Sequence, residues 1–267
     1  MEENKLIIYE SKIRKEYHDG EWYFSIVDVI EVLTDSPQPT SYWNKVKKQL
    51  KKESELLPFW QKLKFIAHDG KMRPTDCANT EGVLRVIMSI PSPKAEPFKL
   101  WLSQVGKERL DEAENPELAI ERLTRIYQAK GYEDSWIATR LKAIGIRKEL
   151  TEEWNRRGVS DSKEFSLLTA TIAKETFGMT PSEHAKYKGL ENESLRDHMT
   201  NFELIFSMLG EEATRAIAIR DDAQGLYENQ EAAIKGGKEA GKARKRFEKS
   251  VGVKVISKEN FKQKTLE

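Results

Sequence analysis

The sequence predicts an α+β protein: a small N-terminal domain of antiparallel hairpins with packed helices, followed by an all-helical C-terminal half. Three observations carry this. An Asp-Gly step occurs twice between extended flanks, at His18-Asp19-Gly20 and at His68-Asp69-Gly70, and Asp-Gly in that setting is a hairpin signal. Beyond residue 112 no strand signal occurs up to residue 250, while capping residues and terminal glycines recur at helical intervals. Apolar content of 38% suffices for a core, and 33% charged residues make a polar exterior.

The first elements read in order. Leu6–Ile8 and Ile13–Tyr17 are strand-like, and Glu21–Phe24 resumes extended structure after the first Asp-Gly turn. Ser25 caps a helix through Val32, with Asp28 placed to complete a capping box and Ile26, Val29, Ile30 and Leu33 as the buried face. Residues 34–39 form a loop rich in turn formers. Thr40 or Ser41 starts a second helix, whose stripe is Trp43, Val46 and Leu50 and whose remaining surface carries Lys45, Lys47, Lys48, Lys51 and Lys52. No acid lies between Ser36 and Lys52. Two short helices with the second strongly basic outline a helix-turn-helix, although the connecting turn is long for one. The lysines read either as phosphate contacts or as the solvated face of an amphipathic helix. Asn44 and Gln49 have side chains that can read base edges. Lys71 and Arg73 lie on the adjoining second hairpin, and with the five lysines they make the candidate DNA-binding set.

Two helices close the domain. Thr80 caps the first, with Val83, Leu84, Val86 and Ile87 apolar. Pro91-Ser92-Pro93 interrupts the backbone, and the next helix starts near Glu96 with Phe98, Trp101, Leu102 and Val105 as its stripe. This places a boundary near residue 112 and gives three segments: 1–111, the helical 112–250, and a short extended or disordered tail, 251–267.

The helical half is punctuated by glycines. Helices are predicted over 116–130 ending at Gly131, from Asp134 to Ala143 ending before Gly145, from Thr151 to Gly158, and from Ser160 to Phe177 ending at Gly178. Thr180-Pro181-Ser182-Glu183 and Thr200-Asn201-Phe202-Glu203 are capping boxes. The second opens a helix with Phe202, Ile205, Phe206 and Leu209 as its stripe. Residues 236–256 combine Gly237, Ala240, Gly241 and Ala243 with Lys238, Lys242, Arg244, Lys245, Arg246 and Lys249. The small residues favour a docked helix, and its basic exterior reads as surface charge or as a second phosphate contact.

Charge is unevenly spread. The net is +1, made of +2 over residues 1–110, −8 over 111–234 and +7 over 235–267. Cys77 is the only cysteine, so no intrachain disulfide can form; with no signal peptide apparent, a reducing cytoplasm is expected. No apolar run approaches the roughly 18 residues that span a bilayer. His184 and His198 match no metal-ligand spacing, and Gly236-Gly237 lacks the Lys-Ser/Thr of a phosphate-binding loop. Glu211-Glu212 and Asp221-Asp222 sit in ordinary charged helix faces. No catalytic residue, cofactor or metal is assigned, and an enzyme is not expected.

The runs WYFSIVDVIEVL and EGVLRVIMSIPSPKAEPFKLWL, with the second hairpin between them, resemble the N-terminal domain of the BRO family of viral and prophage proteins, which includes phage antirepressors. The matching positions are Phe24, Ser25, Asp28 and Val29, then Lys94, Ala95, Phe98 and Trp101, over about residues 10–110. The family's Gly-Tyr type step after the first helix is replaced by Thr34-Asp35-Ser36-Pro37. GLENESLRDHMTNFELIFSMLGEEAT and the tail GGKEAGKARKRFEKSVGVKVIS resemble the DNA-damage-inducible protein D group of that family. The resemblance implies a small α+β domain that binds DNA, a cytoplasmic regulator of antirepressor or DNA-damage-response type, and no catalytic residues. The alternative it leaves open is an antagonist of a repressor or recombinase filament with little direct DNA contact. The helical half would serve partner binding or self-association, and no membrane is involved.

Overall fold

The computed structural model describes residues 12–260 except 35, 54–58 and 67–69. The chain divides into two compact units between Ala119 and Ile120. The first unit is α+β and the second is helical among the described residues.

In the first unit, β1 (Lys15–His18) and β2 (Glu21–Ser25) pair antiparallel, with Tyr17 opposite Trp22 and His18 opposite Glu21. Asp19 and Gly20 both take positive φ, 50° and 86°, as a two-residue hairpin turn requires. β3 (Gln61–Ile66) and β4 (Met72–Ala78) form the second hairpin, and the sheet order is β1-β2-β4-β3. Most of its connecting turn, like the expected strand at Leu6–Ile8, lies outside the described residues.

Three helices and a fourth helical segment cover this sheet. α1 (Ile26–Leu33) and α2 (Pro39–Glu53) follow β2, and α3 (Thr80–Ser89) follows β4. A 3-10 turn at Pro93–Ala95 leads into α4 (Glu96–Glu114). Ile30, Trp43, Val86, Ile87 and Phe98 meet in one core, with Trp101 and Leu102 partly buried against it. Two caps differ from expectation. Asn79, not Thr80, caps α3, its side chain accepting from the Gly82 N–H at 3.0 Å. Ser25 caps α1, but Asp28 does not reach back to complete the box. Asp28 turns instead to Arg14, accepting from its Nη2 at 2.6 Å, its Nε at 2.8 Å and its backbone N–H at 3.0 Å. A bidentate guanidinium pair outcompetes one amide donor, and it ties the chain ahead of β1 to α1.

The second unit runs α5 (Glu117–Ala129), α6 (Asp134–Arg156), α7 (Ser162–Phe177), α8 (Pro181–Tyr187), α9 (Asn201–Arg220) and α10 (Gly225–Val251). The glycine-terminated ends at 131, 158 and 178 are present with positive φ. The break expected at Gly145 is not: α6 passes through it unbroken, so the two helices read around it are one. Both capping boxes form. The box glutamate Glu203 is wholly buried, and it also accepts from His184 Nε2 at 3.0 Å, Lys188 Nζ at 2.9 Å and the Ser257 N–H at 3.2 Å. Burial alone would push its carboxyl up. The donors from His184, Lys188 and Thr200 more than offset that and hold it below the usual carboxylate range. Lys188 Nζ also donates to the Glu259 carbonyl at 2.7 Å, so the segment after α10 is bound to the bundle up to Asn260.

The stripe expected on α9 is corrected as well. Phe202, Ile205 and Leu209 are 41–43% exposed, and of that set only Phe206 is buried. The buried face carries Leu204, Gly210, Glu211, Thr214 and Ala218 instead. Glu211 is therefore not on a solvated face; its Oε1 accepts from Arg147 at 3.4 Å and Arg196 at 2.5 Å. The cause lies in α10, whose Gly236, Gly237, Ala240 and Gly241 are buried. A Cβ at Gly236 would collide with the Thr214 backbone, and one at Gly241 with the Glu175 carbonyl. Backbones this close leave no room for large side chains on α9. The docked tail helix expected from the small residues is thus observed.

Two glycine substitutions test this packing by urea unfolding. Gly236→Ala is expected to destabilise by about 1–3 kcal/mol, because Thr214 main chain cannot retreat cheaply. Gly145→Ala, in mid-helix with open space around it, is expected to stabilise by up to about 1 kcal/mol.

Candidate nucleic-acid interface

α2 begins at Pro39, whose missing N–H costs nothing in a first turn. Trp43 and Val46 point into the core, and Tyr42 and Leu50 pack at its margin. That leaves Lys45, Lys48, Lys51 and Lys52 exposed, each without an ion pair among the described residues. Asn44 and Gln49 are exposed on the same helix.

Lys47 differs from the other four. It is half-buried, and its Nζ pairs with Asp76 Oδ2 at 2.6 Å. The same oxygen accepts from Trp43 Nε1 at 2.8 Å. The ammonium also lies 5.9 Å from the Trp43 ring centre and 5.6 Å from that of Trp60, and the two indoles meet edge-on at 5.5 Å. Burial pushes the Asp76 carboxyl up, but the Lys47 and Trp43 hydrogen bonds and the charges of Lys47 and Lys62 bring it below the usual carboxylate range. Lys47 therefore anchors α2 to β4, with its charge largely balanced.

Sheet register decides what stands beside α2. Lys62 pairs across from Asp76, and Lys64 from Pro74. Paired residues share a sheet face, so Lys62 and Lys64 stand on the face that α2 packs against. Both are exposed. Arg73 pairs with Phe65 and alternates to the opposite face, and Lys71 precedes β4. The structure thus brings together Lys45, Lys48, Lys51 and Lys52, adds Lys62 and Lys64, and does not bring Arg73 to that surface. The signal for the additions was present as K-L-K-F-I, in which alternate positions are charged and apolar. What could not be read was which face α2 would cover.

Cys77 is buried, and burial pushes its thiol up to about 11. Among the described residues, no group of three or more His, Cys, Asp or Glu could hold a metal ion. His184 serves Glu203, and Asp197 accepts from Arg140 Nε at 2.9 Å. No helix among the described residues is long and apolar enough to cross a membrane.

The first unit is similar to a known family model. Residues 12–107 match the BRO family, N-terminal domain. The matched stretch takes in all four strands, α1–α3 and most of α4, and leaves the helical unit uncovered. A comparison with curated proteins finds no match.

The anchor of the lysine helix can be tested through stability. Asp76→Ala strands Lys47 and the Trp43 N–H, and is expected to destabilise the first unit by about 1–3 kcal/mol at pH 7. The folded carboxyl titrates below its unfolded value of about 3.9, so its contribution is present at neutral pH and is lost as pH falls through the folded value. Urea midpoints of wild type and variant should therefore differ at pH 7 and converge only in acid below that value.

Proposed function

We propose that this protein is a DNA-binding regulator of the phage antirepressor type, and that its BRO-type domain meets the phosphate backbone through the exposed lysines of α2 and β3. One observation carries the DNA half of the proposal. Six exposed lysines, Lys45, Lys48, Lys51, Lys52, Lys62 and Lys64, occupy the surface made by one helix and one strand. Asp76, the acid that meets α2 from β4, is already committed to Lys47 and Trp43. A solvated helix face ordinarily mixes signs, whereas a surface of one sign repels itself and gains free energy by displacing counterions from phosphate. The regulatory half rests on the family likeness. A role in the DNA-damage response follows from the resemblance of the tail and is part of the same proposal.

A second reading has its own support. Phe202, Ile205 and Leu209 stand exposed at helical spacing on α9, a pattern suited to a protein partner such as a repressor or a recombinase filament, or to self-association. A protein acting only in that way would have no salt-dependent affinity for DNA.

Fluorescence anisotropy with a duplex across a salt series separates the readings. Log affinity is expected to fall linearly with log salt. Replacing Lys45, Lys48, Lys51 and Lys52 together by alanine should reduce the slope by about 3 to 4 for duplex DNA. An unchanged slope in that variant would remove the site assignment.

A further inference from the structure

The long helix of the second unit carries a second row of exposed lysines. Lys235, Lys238, Lys242, Lys245 and Lys249 are all exposed, and their spacing of three, four, three and four residues places them on one face of α10. At 1.5 Å per residue the row is about 21 Å long. Lys235 pairs with Asp221 at 3.3 Å and Lys242 with Glu239 at 2.8 Å. Lys238, Lys245 and Lys249 have no ion pair among the described residues, and exposed Arg246 stands beside them, also unpaired.

The opposite face fixes the row in place. Gly236, Gly237, Ala240 and Gly241 lie against α7 and α9 with no space for a Cβ at the glycines. Arg244 is the one cation of this stretch turned inward, donating to the Thr176 carbonyl at 2.9 Å and pairing with Glu248 at 2.9 Å. α10 therefore cannot roll, and the outward face of the row is fixed. Like charges three and four residues apart on a helix oppose each other, and the two ion pairs offset this only at Lys235 and Lys242.

We infer that the lysine row of α10 is a second nucleic-acid-binding surface, one that grips the phosphate backbone without reading bases. Its chemistry fits a regularly spaced polyanion. Positions of the row recur every ~4.5–6 Å along the axis by helix geometry, so several lysines can meet one phosphate backbone at once. The row offers no aromatic or amide group for base recognition, so sequence preference would come from elsewhere. This surface lies outside the BRO-type domain and does not depend on the α2 lysines.

The test uses the full chain and a fluorescein-labelled duplex of about two helical turns in a sodium chloride series. The variant is Lys238→Gln, Lys245→Gln, Lys249→Gln, with Lys238→Arg, Lys245→Arg, Lys249→Arg as its charge-keeping counterpart. The Gln variant should weaken binding about tenfold or more at low salt and reduce the salt slope by about 2 to 3, and the Arg variant should bind as wild type. Combining it with the α2 alanine variant should lower the slope further. A Gln variant with unchanged affinity and slope overturns the inference, whether because the row is only solvated or because it serves an acidic protein surface. Loss in the α10 variant with none in the α2 variant would leave this inference standing and defeat the proposed role of the BRO-type domain; the reverse pattern would do the opposite.

Discussion

One carboxylate organises the basic surface of the first unit. Asp76 Oδ2 receives both the Trp43 indole N–H and the Lys47 ammonium, so a single atom of β4 fixes two side chains one helical turn apart on α2. Trp43 is almost wholly buried, which makes the helix's position a matter of core packing as well as of charge. The consequence is orientation. With residues 43 and 47 held toward the sheet, positions 45, 48, 51 and 52 are forced outward, and the register of β3 sets Lys62 and Lys64 on the same side. A lysine given up to an ion pair thus directs the other four.

The second unit is built on a different constraint, closeness of backbone. α10 meets α7 and α9 through glycine and alanine, and the partner helices answer with Thr176, Thr214 and Gly210 at the contact. Such packing gains dispersion contact over long stretches of main chain and tolerates almost no substitution. It also accounts for the first of two features that look anomalous on their own. Large apolar residues of α9 are left at the surface, and polar residues such as Glu203 and Glu211 are buried with cationic partners. Glu203 is held by His184 and Lys188 of α8 and its loop, and Glu211 by Arg147 and Arg196.

Local rules were legible in the sequence, and tertiary choices were not. Asp19-Gly20 demanded its turn, Thr180 and Thr200 their capping boxes, and Gly178 its helix end, because each is settled within a few residues. The α+β division was readable for the same reason. Errors arose where a local signal met a distant competitor. Asp28 had a capping amide in reach but found Arg14, fourteen residues back. Gly145 could have ended a helix, yet α6 continues through it. Phe202, Ile205 and Leu209 have helical spacing, but which face of α9 turns inward is dictated by the glycines of α10. At the candidate site, the lysine helix was readable as a charge run. The demotion of Lys47, the loss of Arg73 to the other sheet face and the arrival of Lys62 and Lys64 all required knowing how α2 meets the sheet.

The account therefore rests on a claim about particular ammonium groups: those of α2 other than Lys47 are presented as a fixed surface, and DNA covers them. Quantitative lysine acetylation of the full chain, read by mass spectrometry with and without saturating duplex, tests it residue by residue. The account predicts that Lys45, Lys48, Lys51 and Lys52 react readily in the free protein and are protected by duplex, while Lys47 reacts slowly in both states. Equal modification of those four lysines with and without DNA, or a Lys47 as reactive as its neighbours, would contradict it.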